Sequence, residues 1–276
     1  MVGQNQVEVL QGNTWEYDDA IAQGAQRLIG LVVLAFDDVT LSCDSAYVYE
    51  NNNFTAFHNI HINQGDSIHV YGDQIDYTYL TESAILRDNV LFKDKDMTLK
   101  TDYLNYDLNT CIGSYNRGGI ITSTENNNTL TSSSGSYDSD IEVFYFRENV
   151  ILSNPDYIVK SDTLHYNNTS EISYFFGPTT ILGEDSEIYC ENGWYDTQSE
   201  ICQFSKNASI TSETTLLKGD SIYYDGSNKY GEAFKNVVIS DSVDKFIITG
   251  EYGFHDQLND SSFVVGRAVY TQDFEK

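Results

Sequence analysis

The sequence predicts an all-β protein built from about nine two-strand repeats of 29–31 residues. Three observations carry this. The first is a 29-residue period, anchored on an acidic or small polar residue: Asn13, Asp44, Asp73, Asp102, Ser133, Asp162, Glu191, Asp220 and Glu251. Three positions before each anchor stands an aliphatic residue, from Leu10 and Leu41 to Leu217 and Ile248, and one position before it a small one, from Gly12 and Cys43 to Gly219 and Gly250. Four positions after it, seven of nine residues are tyrosine. The second observation is period-two alternation of apolar residues, which places one set on one face of a strand. The third is composition: 21 Tyr and 14 Phe with only 2 Pro and 2 Met favour strands. A fixed period of this length means one unit stacked on copies of itself, around a core that runs along the stack.

Each unit reads as two short strands joined by a turn. In Ser83 to Cys111, Ala84-Ile85-Leu86 leads into Asp88-Asn89-Val90-Leu91-Phe92. The polar stretch Lys93-Asp94-Lys95-Asp96 follows, and Met97 to Tyr106 forms the second strand. Asn, Asp, Gly and Ser at the closures are turn chemistry. The first strand repeats an asparagine (Asn59, Asn89, Asn149, Asn207, Asn236) followed by an alternating pair: Ile60/Ile62, Val90/Phe92, Val150/Leu152, Ala208/Ile210, Val237/Ile239. An aromatic enters just before it: Phe57, Phe146, Phe204, Phe234.

The second strand hides a parity slip. The aliphatic at anchor −3 and the small residue at −1 share one face. The anchor, the residue at +2 (Ile75, Leu104, Leu164, Ile222) and the tyrosine at +4 share the other. Both halves are apolar, so the buried face must switch beside the anchor. A bulge or sharp bend does this, and a small residue suits the corner. The unit 112–142 is the most degenerate, with Gly118-Gly119 in place of Asn-Val. Asn126-Asn127-Asn128 and Ser132-Ser133-Ser134 read there as a polar surface loop. Gly177-Pro178 marks an edge or a distortion, because Pro removes a ladder donor.

At 276 residues with 40% hydrophobic content, the chain can bury a substantial core, and the repeat argues for one elongated domain over 1–276. The balance of 15 Lys+Arg against 42 Asp+Glu, net −27, excludes nucleic acid as a natural partner and disfavours anionic membrane surfaces. The longest apolar run, Leu28 to Phe36, is far short of the roughly 20 residues a spanning helix needs. The N-terminus has neither a basic nor an apolar signal region, which fits a cytoplasmic chain or one that starts after signal removal with an added Met. Of the four cysteines, Cys43 and Cys190 hold the same slot five repeats apart. At about 4.8 Å per stacked strand they are more than about 20 Å apart, beyond the roughly 7 Å limit for a disulfide. Only Cys190 and Cys202 could bridge, and buried thiols are the expectation.

Little in the sequence points to bond chemistry. His58-x-x-His61…His69 has loose metal-ligand spacing, yet residues three apart on a strand face opposite sides, so exposed strand histidines and no metal are expected. Single carboxylates once per 29 residues do not build a calcium cage, and satisfying backbone donors at the corner is the role expected of them. The paired carboxylates Asp18-Asp19 and Asp37-Asp38 sit in turns, and Asn53-Phe54-Thr55 reads as a turn asparagine rather than a glycosylation site. No nucleophile elbow, phosphate loop or zinc motif occurs, and no cofactor is expected. The tyrosine ladder fits core and rim packing, or an amphipathic wall able to hold acyl chains or sugars.

The recurring Asn-Val-x-Ile, polar turn, Leu-x-Ala/Gly-Asp-x-Leu-x-Tyr-Asp resembles the OstA-like repeat. That family includes the periplasmic lipopolysaccharide transport protein LptA and the N-terminal region of LptD. Thr98 to Asp107 and Leu217 to Asp225 carry the pattern. Trp15-Glu16-Tyr17-Asp18, Cys43 to Tyr47 and Tyr174 to Thr180 resemble OstA-like proteins of Bacteroidetes. The resemblance spans about Val7 to Tyr270.

It implies an elongated β-jellyroll with an apolar interior that shields lipid A acyl chains, and a periplasmic bridge, possible outer-membrane association included. It also implies inner- and outer-membrane Lpt components as partners, and head-to-tail self-association through end strands near 7–17 and 263–270. The expected groove is Ile60, Ile62, Ile75, Val90, Phe92, Leu104, Val150, Leu152, Leu164, Ile210, Ile222, Val237 and Ile239, with lipid phosphates facing solvent, cations or a partner because the surface is acidic. Two other classes fit the period: a structural or adhesive β-solenoid with a filled core, and a β-helix enzyme acting on polysaccharide. A solid core would sink lipid carriage, and a cleft pairing two carboxylates would favour the enzyme.

Overall fold

The computed structural model describes residues 6–17, 24–36, 39–65, 68–123, 128–256, 258–259 and 261–272. The turn carboxylates Asp18-Asp19 and Asp37-Asp38 lie outside the described residues, as do Asn126 and Asn127. The chain forms two compact units, 1–141 and 142–276. Among the described residues all regular structure is strand, apart from one 3-10 turn at Tyr79–Thr81.

In the first unit the strands Ala25–Phe36, Val39–Tyr49, Phe54–Gln64, Ile68–Thr78, Ser83–Lys93 and Met97–Asp107 pair antiparallel in chain order. In the second unit the strands from Val143–Ser153 to Phe246–Asp256 do the same. The architecture is therefore all-β with two strands per repeat, as the period predicts. Chain-order pairing follows from the closures. Asp107 accepts the N–H groups of Asn109 and Thr110 at 2.9 and 3.1 Å, and Asp196 those of Gln198 and Ser199 at 2.9 and 3.1 Å. These Asx turns reverse the chain within a few residues. A left-handed residue closes each one: Cys111, Glu142, Glu171, Glu200 and Lys229 have φ of 53–56°. Successive turns are also bonded to each other, as Gly226 N–H donates to Glu200 O at 2.9 Å. Asn53 belongs to this chemistry, since its Oδ1 accepts Tyr79 N–H at 2.9 Å.

The parity switch falls beside the anchor. On Met97–Asp107 the buried residues are Leu99, Thr101 and Leu104, with Asp102 exposed between them. The extra residue that permits this lies on the neighbouring strand. Thr101 is opposite Val90 and Tyr103 opposite Arg87, so one residue faces two, Asp88 and Asn89. Both of those are left-handed, with φ of 61° and 52°. The same two-residue left-handed corner recurs at His58-Asn59, Glu148-Asn149, Lys206-Asn207 and Lys235-Asn236. A bulge of this type bends its strand and re-aims every side chain beyond it.

Two sequence expectations are corrected here. Ser132-Ser133-Ser134 is not a loop but a corner: Ser132 ends the strand Thr129–Ser132, Ser134 begins Ser134–Asp138, and Ser132 is buried. The degenerate unit thus keeps the repeat, with its strands cut at the bend. Gly177-Pro178 is the distortion and not the edge, because Ile172–Leu182 is paired on both sides. It takes the asparagine corner's place, with Gly177 at φ 80° where a Cβ would meet the Cβ of Asp162 at 2.9 Å. Pro178 falls within the register shift, where no ladder donor is required.

Candidate functional site

The corner assigns the anchor acids a role different from the expected one. Asn59 Nδ2 donates to Asp44 Oδ2 at 2.8 Å and Asn89 Nδ2 to Asp73 Oδ2 at 2.6 Å. Asn207 does the same to Glu191 at 2.9 Å and Asn236 to Asp220 at 2.9 Å. The acids therefore accept from a side-chain amide, not from backbone donors. At the last corner Arg267 pairs with Glu251 instead. The small residue before the anchor has a second function that size did not reveal. Thr101 Oγ1 donates to Gly118 O at 2.7 Å and lies 3.2 Å from Tyr103 O, Ser132 Oγ donates to Ser134 O at 2.9 Å, and Ser161 Oγ to Thr163 O at 3.0 Å. Cys43 Sγ reaches Ser45 O at 3.3 Å. A bend breaks the ladder, and these donors satisfy a carbonyl at the break.

Inside the corners lies the predicted apolar set. Ile60, Val90, Val150 and Val237 are buried, as are Ile75, Leu104, Leu164, Ile222 and Ile239. Ile62, Phe92, Leu152 and Ile210 are half-buried, at the rim. In the first unit Ile60, Ile75, Val90 and Leu104 belong to one apolar cluster, with Ile62 and Phe92 packed against it. In the second unit Leu164 lies between Phe146 and Phe175, and Ile222 between Phe204 and Ala233.

The position three before the corner asparagine completes this interior and was not recognised from sequence. It is held by Ala56, Leu86, Phe146, Phe204 and Ala233, all buried. Phe57 and Phe234 are one residue out of step, and Phe234 is 36% exposed on the outer face. The four phenylalanines are thus two sets. The tyrosines after the anchor range from buried (Tyr77) through half-buried (Tyr166, Tyr195) to exposed (Tyr17), and burial pushes the Tyr166 and Tyr195 hydroxyl pKa values up.

The thiols of Cys43, Cys190 and Cys202 are buried and all four cysteines are free. Burial raises Cys43 to about 11 and both Cys190 and Cys202 to about 12, so these are inert structural thiols. The described residues include two surface depressions, of about 490 and 680 Å³. The first is lined by Thr215, Ser240, Phe246 and Ile247, and the second by Leu91, Lys100, Asp102, Arg117 and Ile120. Of the predicted groove residues only Val90 borders either. Among the described residues no three His, Cys, Asp or Glu side chains converge as metal ligands.

The histidines are not simply exposed. His165 is half-buried, with ring contacts of 4.7 Å to both Tyr145 and Phe176. Burial, then the Arg147 charge, lowers its pKa. His61 stacks on Tyr71 at 4.6 Å and its Nε2 meets His69 Nδ1 at 3.2 Å.

Among the described residues, a strand pair at each terminus has strand partners on one side. Glu8–Gln11 and Thr14–Tyr17 pair with Ala25–Phe36, and Ser261–Val265 and Val269–Gln272 with Phe246–Asp256. Trp15, Tyr17, Val269 and Tyr270 are exposed there.

A family model described as OstA-like protein matches residues 4–162 and 158–220, well over half of the chain. No curated protein sequence matches. Among solved structures, LptH from Pseudomonas aeruginosa, described as the LptA homologous periplasmic component of the conserved lipopolysaccharide transport device, matches at 17% identity. That match covers 36% of this chain and 75% of LptH, with a TM-score of 0.33. The repeat geometry persists past the matched segment, since the Asn236–Asp220 corner bond and the Phe246–Asp256 strand keep the pattern. On the family match, the chain belongs to the OstA-like protein family.

Proposed function

We propose that this chain binds lipopolysaccharide through its lipid A acyl chains and carries it across the periplasm, as a non-catalytic component of a bridge to the outer membrane. Family membership supports the transport class. The observation that carries the lipid reading is the apolar lane inside the corners of each unit, deep at Val90 and Leu164 and open to the rim at Phe92 and Leu152. An acyl chain entering such a lane gains about 0.8 kcal/mol per buried CH₂ without any charged contact. That suits a chain of net charge −27, four of whose anchor acids, Asp44, Asp73, Glu191 and Asp220, are held by neutral amides. The phosphates stay outside, with solvent, cations or a partner.

The deep residues are closely packed, Ile222 being 0% exposed. Entry therefore requires the two arms of the bent strands to part. The same packing supports the second reading, a structural β-solenoid with a filled core. Purified, delipidated protein should retain lipopolysaccharide through size-exclusion chromatography but not its deacylated saccharide, and Phe92→Asp and Leu152→Asp should weaken retention. Equal retention of the saccharide, or none of the lipid, would remove the transport reading in favour of the structural one.

One repeat-built domain over 1–276 and inner- and outer-membrane Lpt components as partners belong to the same proposal. So does head-to-tail self-association through the one-sided terminal strand pairs, where exposed Trp15 and Tyr270 supply apolar contact. Light scattering should show mass rising with concentration; a constant monomer would count against it.

A further inference from the structure

On the outer face of the first unit, Phe54–Gln64 and Ile68–Thr78 bring together two of the three histidines whose spacing in the sequence was loose. His61 is opposite Tyr71 and Asn63 opposite His69, so the histidines meet on the diagonal. Their Nε2 and Nδ1 atoms are 3.2 Å apart, with ring centroids at 5.5 Å. Tyr71 lies parallel to the His61 ring, with 2° between the planes, and fixes its orientation. Asn63 Oδ1 is buried and has no hydrogen-bond partner. Ser42 on Val39–Tyr49 is opposite His61, and Thr40 is opposite Asn63. On Ser83–Lys93, Lys93 is opposite His69, with its Nζ over the Tyr71 ring at 5.5 Å.

We propose that His61 and His69 form an outer-face binding site for one divalent transition-metal ion of the copper and zinc class, with Asn63 Oδ1 as a further oxygen donor or as the acceptor for a metal-bound water. The geometry carries this. Two imidazole nitrogens on a tetrahedral ion, each at 2.0–2.1 Å, are separated by about 3.3 Å. The separation of the two nitrogens, 3.2 Å, already matches that value. Imidazole nitrogen suits zinc, copper and nickel rather than magnesium or calcium. In the metal-free pair one ring donates its N–H to the other. Binding replaces that shared proton, which moves to the outer nitrogen of the donating ring, so each imidazole stays neutral and no proton is lost. The strongly acidic surface raises the local concentration of cations. Lys93 opposes this, and its engagement over Tyr71 keeps it in place beside the ions' approach. The site faces away from Ile60, Ile62 and Val70, so it is independent of the lipid reading.

The test uses the full chain without a histidine tag, titrated with Cu²⁺ alone and with Zn²⁺ alone at raised salt to screen the surface carboxylates. Calorimetry should show one saturable site, weakened about tenfold or more by His61→Ala and by His69→Ala, and unchanged by His58→Ala. Electron paramagnetic resonance of the Cu²⁺ form of the native chain should show coupling to two nitrogens, a readout that needs no variant to fold. An all-oxygen spectrum, or His61→Ala and His69→Ala binding as tightly as the native chain, would overturn the proposal.

Discussion

Asn89, held in a left-handed conformation at φ 52°, donates its side-chain amide to Asp73 on the neighbouring strand at 2.6 Å. The same bond recurs from Asn59 to Asp44, from Asn207 to Glu191 and from Asn236 to Asp220. It joins the two signals of the period. The acid is the anchor, the asparagine starts the apolar pair, and their bond sits where the strands bend. Asparagine suits the position because it tolerates the left-handed region better than other residues with a side chain, and it brings a donor.

This predicts an order among substitutions. Asn89→Ala loses the bond and keeps a Cβ in a strained conformation, so it should cost about 1–2 kcal/mol. Asn89→Gly loses only the bond and should cost about 0.5–1 kcal/mol. Urea unfolding of both variants checks this, and an alanine variant as stable as the glycine one would contradict the corner account.

The bend also sets which residues of one strand reach the interior. Leu164, 1% exposed, should lose about 2–5 kcal/mol on change to Ala. Ile151, 38% exposed on the outer face of the neighbouring strand, should change stability by no more than about 0.5 kcal/mol. Denaturant midpoints of the two variants measure the contrast directly.

The turns give a pH dependence. Hydrogen bonds from Ser199 hold the Asp196 pKa below 3.8, and those from Asn228 and Asn259 do the same for Asp225 and Asp256. A pKa lowered on folding contributes stability that is present above the unfolded value and lost as pH falls through the folded one. Urea midpoints should therefore be level near neutrality and fall below about pH 4. Replacing Asp196, Asp225 and Asp256 together by Asn keeps turn-forming side chains but removes their titration, so the acid-side fall should be shallower. An unchanged profile would mean that other carboxylates set it.

Burial orders the thiols. Cys43, Cys190 and Cys202 are buried with pKa values raised to about 11, 12 and 12, whereas Cys111 is half-buried. Brief alkylation of the native protein near pH 8, followed by peptide mass spectrometry, should label Cys111 first. Labelling of Cys190 or Cys202 ahead of it would show an interior more open than the packing described above.

Much of this was legible in the sequence. The aliphatic ladder through Leu41, Val70 and Leu99, the asparagine ladder and the parity slip located the interior and its corners, because burial imposes period two and a bend interrupts it. The missing parts depend on pairing between strands. The donor role of Thr101 and Ser161 arises only once the ladder breaks opposite them. Phe57 and Phe146 look equivalent, yet they are one residue out of step and face opposite sides, since a one-residue change of register reverses the face. The loose spacing of His58, His61 and His69 was visible in the sequence, but which two of them meet was not, because the diagonal contact of His61 with His69 is fixed by the register of two strands.

The central claim is that the apolar interior receives acyl chains. Photocrosslinking amino acids placed singly at Ile62, Val90 and Leu152, with exposed Ile120 on the outer face as control, test it in living cells. Lipopolysaccharide adducts at the rim positions Ile62 and Leu152 and at the deep position Val90, with none at Ile120, are the predicted result. Absence of any adduct at all three interior positions, or equal labelling at Ile120, would contradict it.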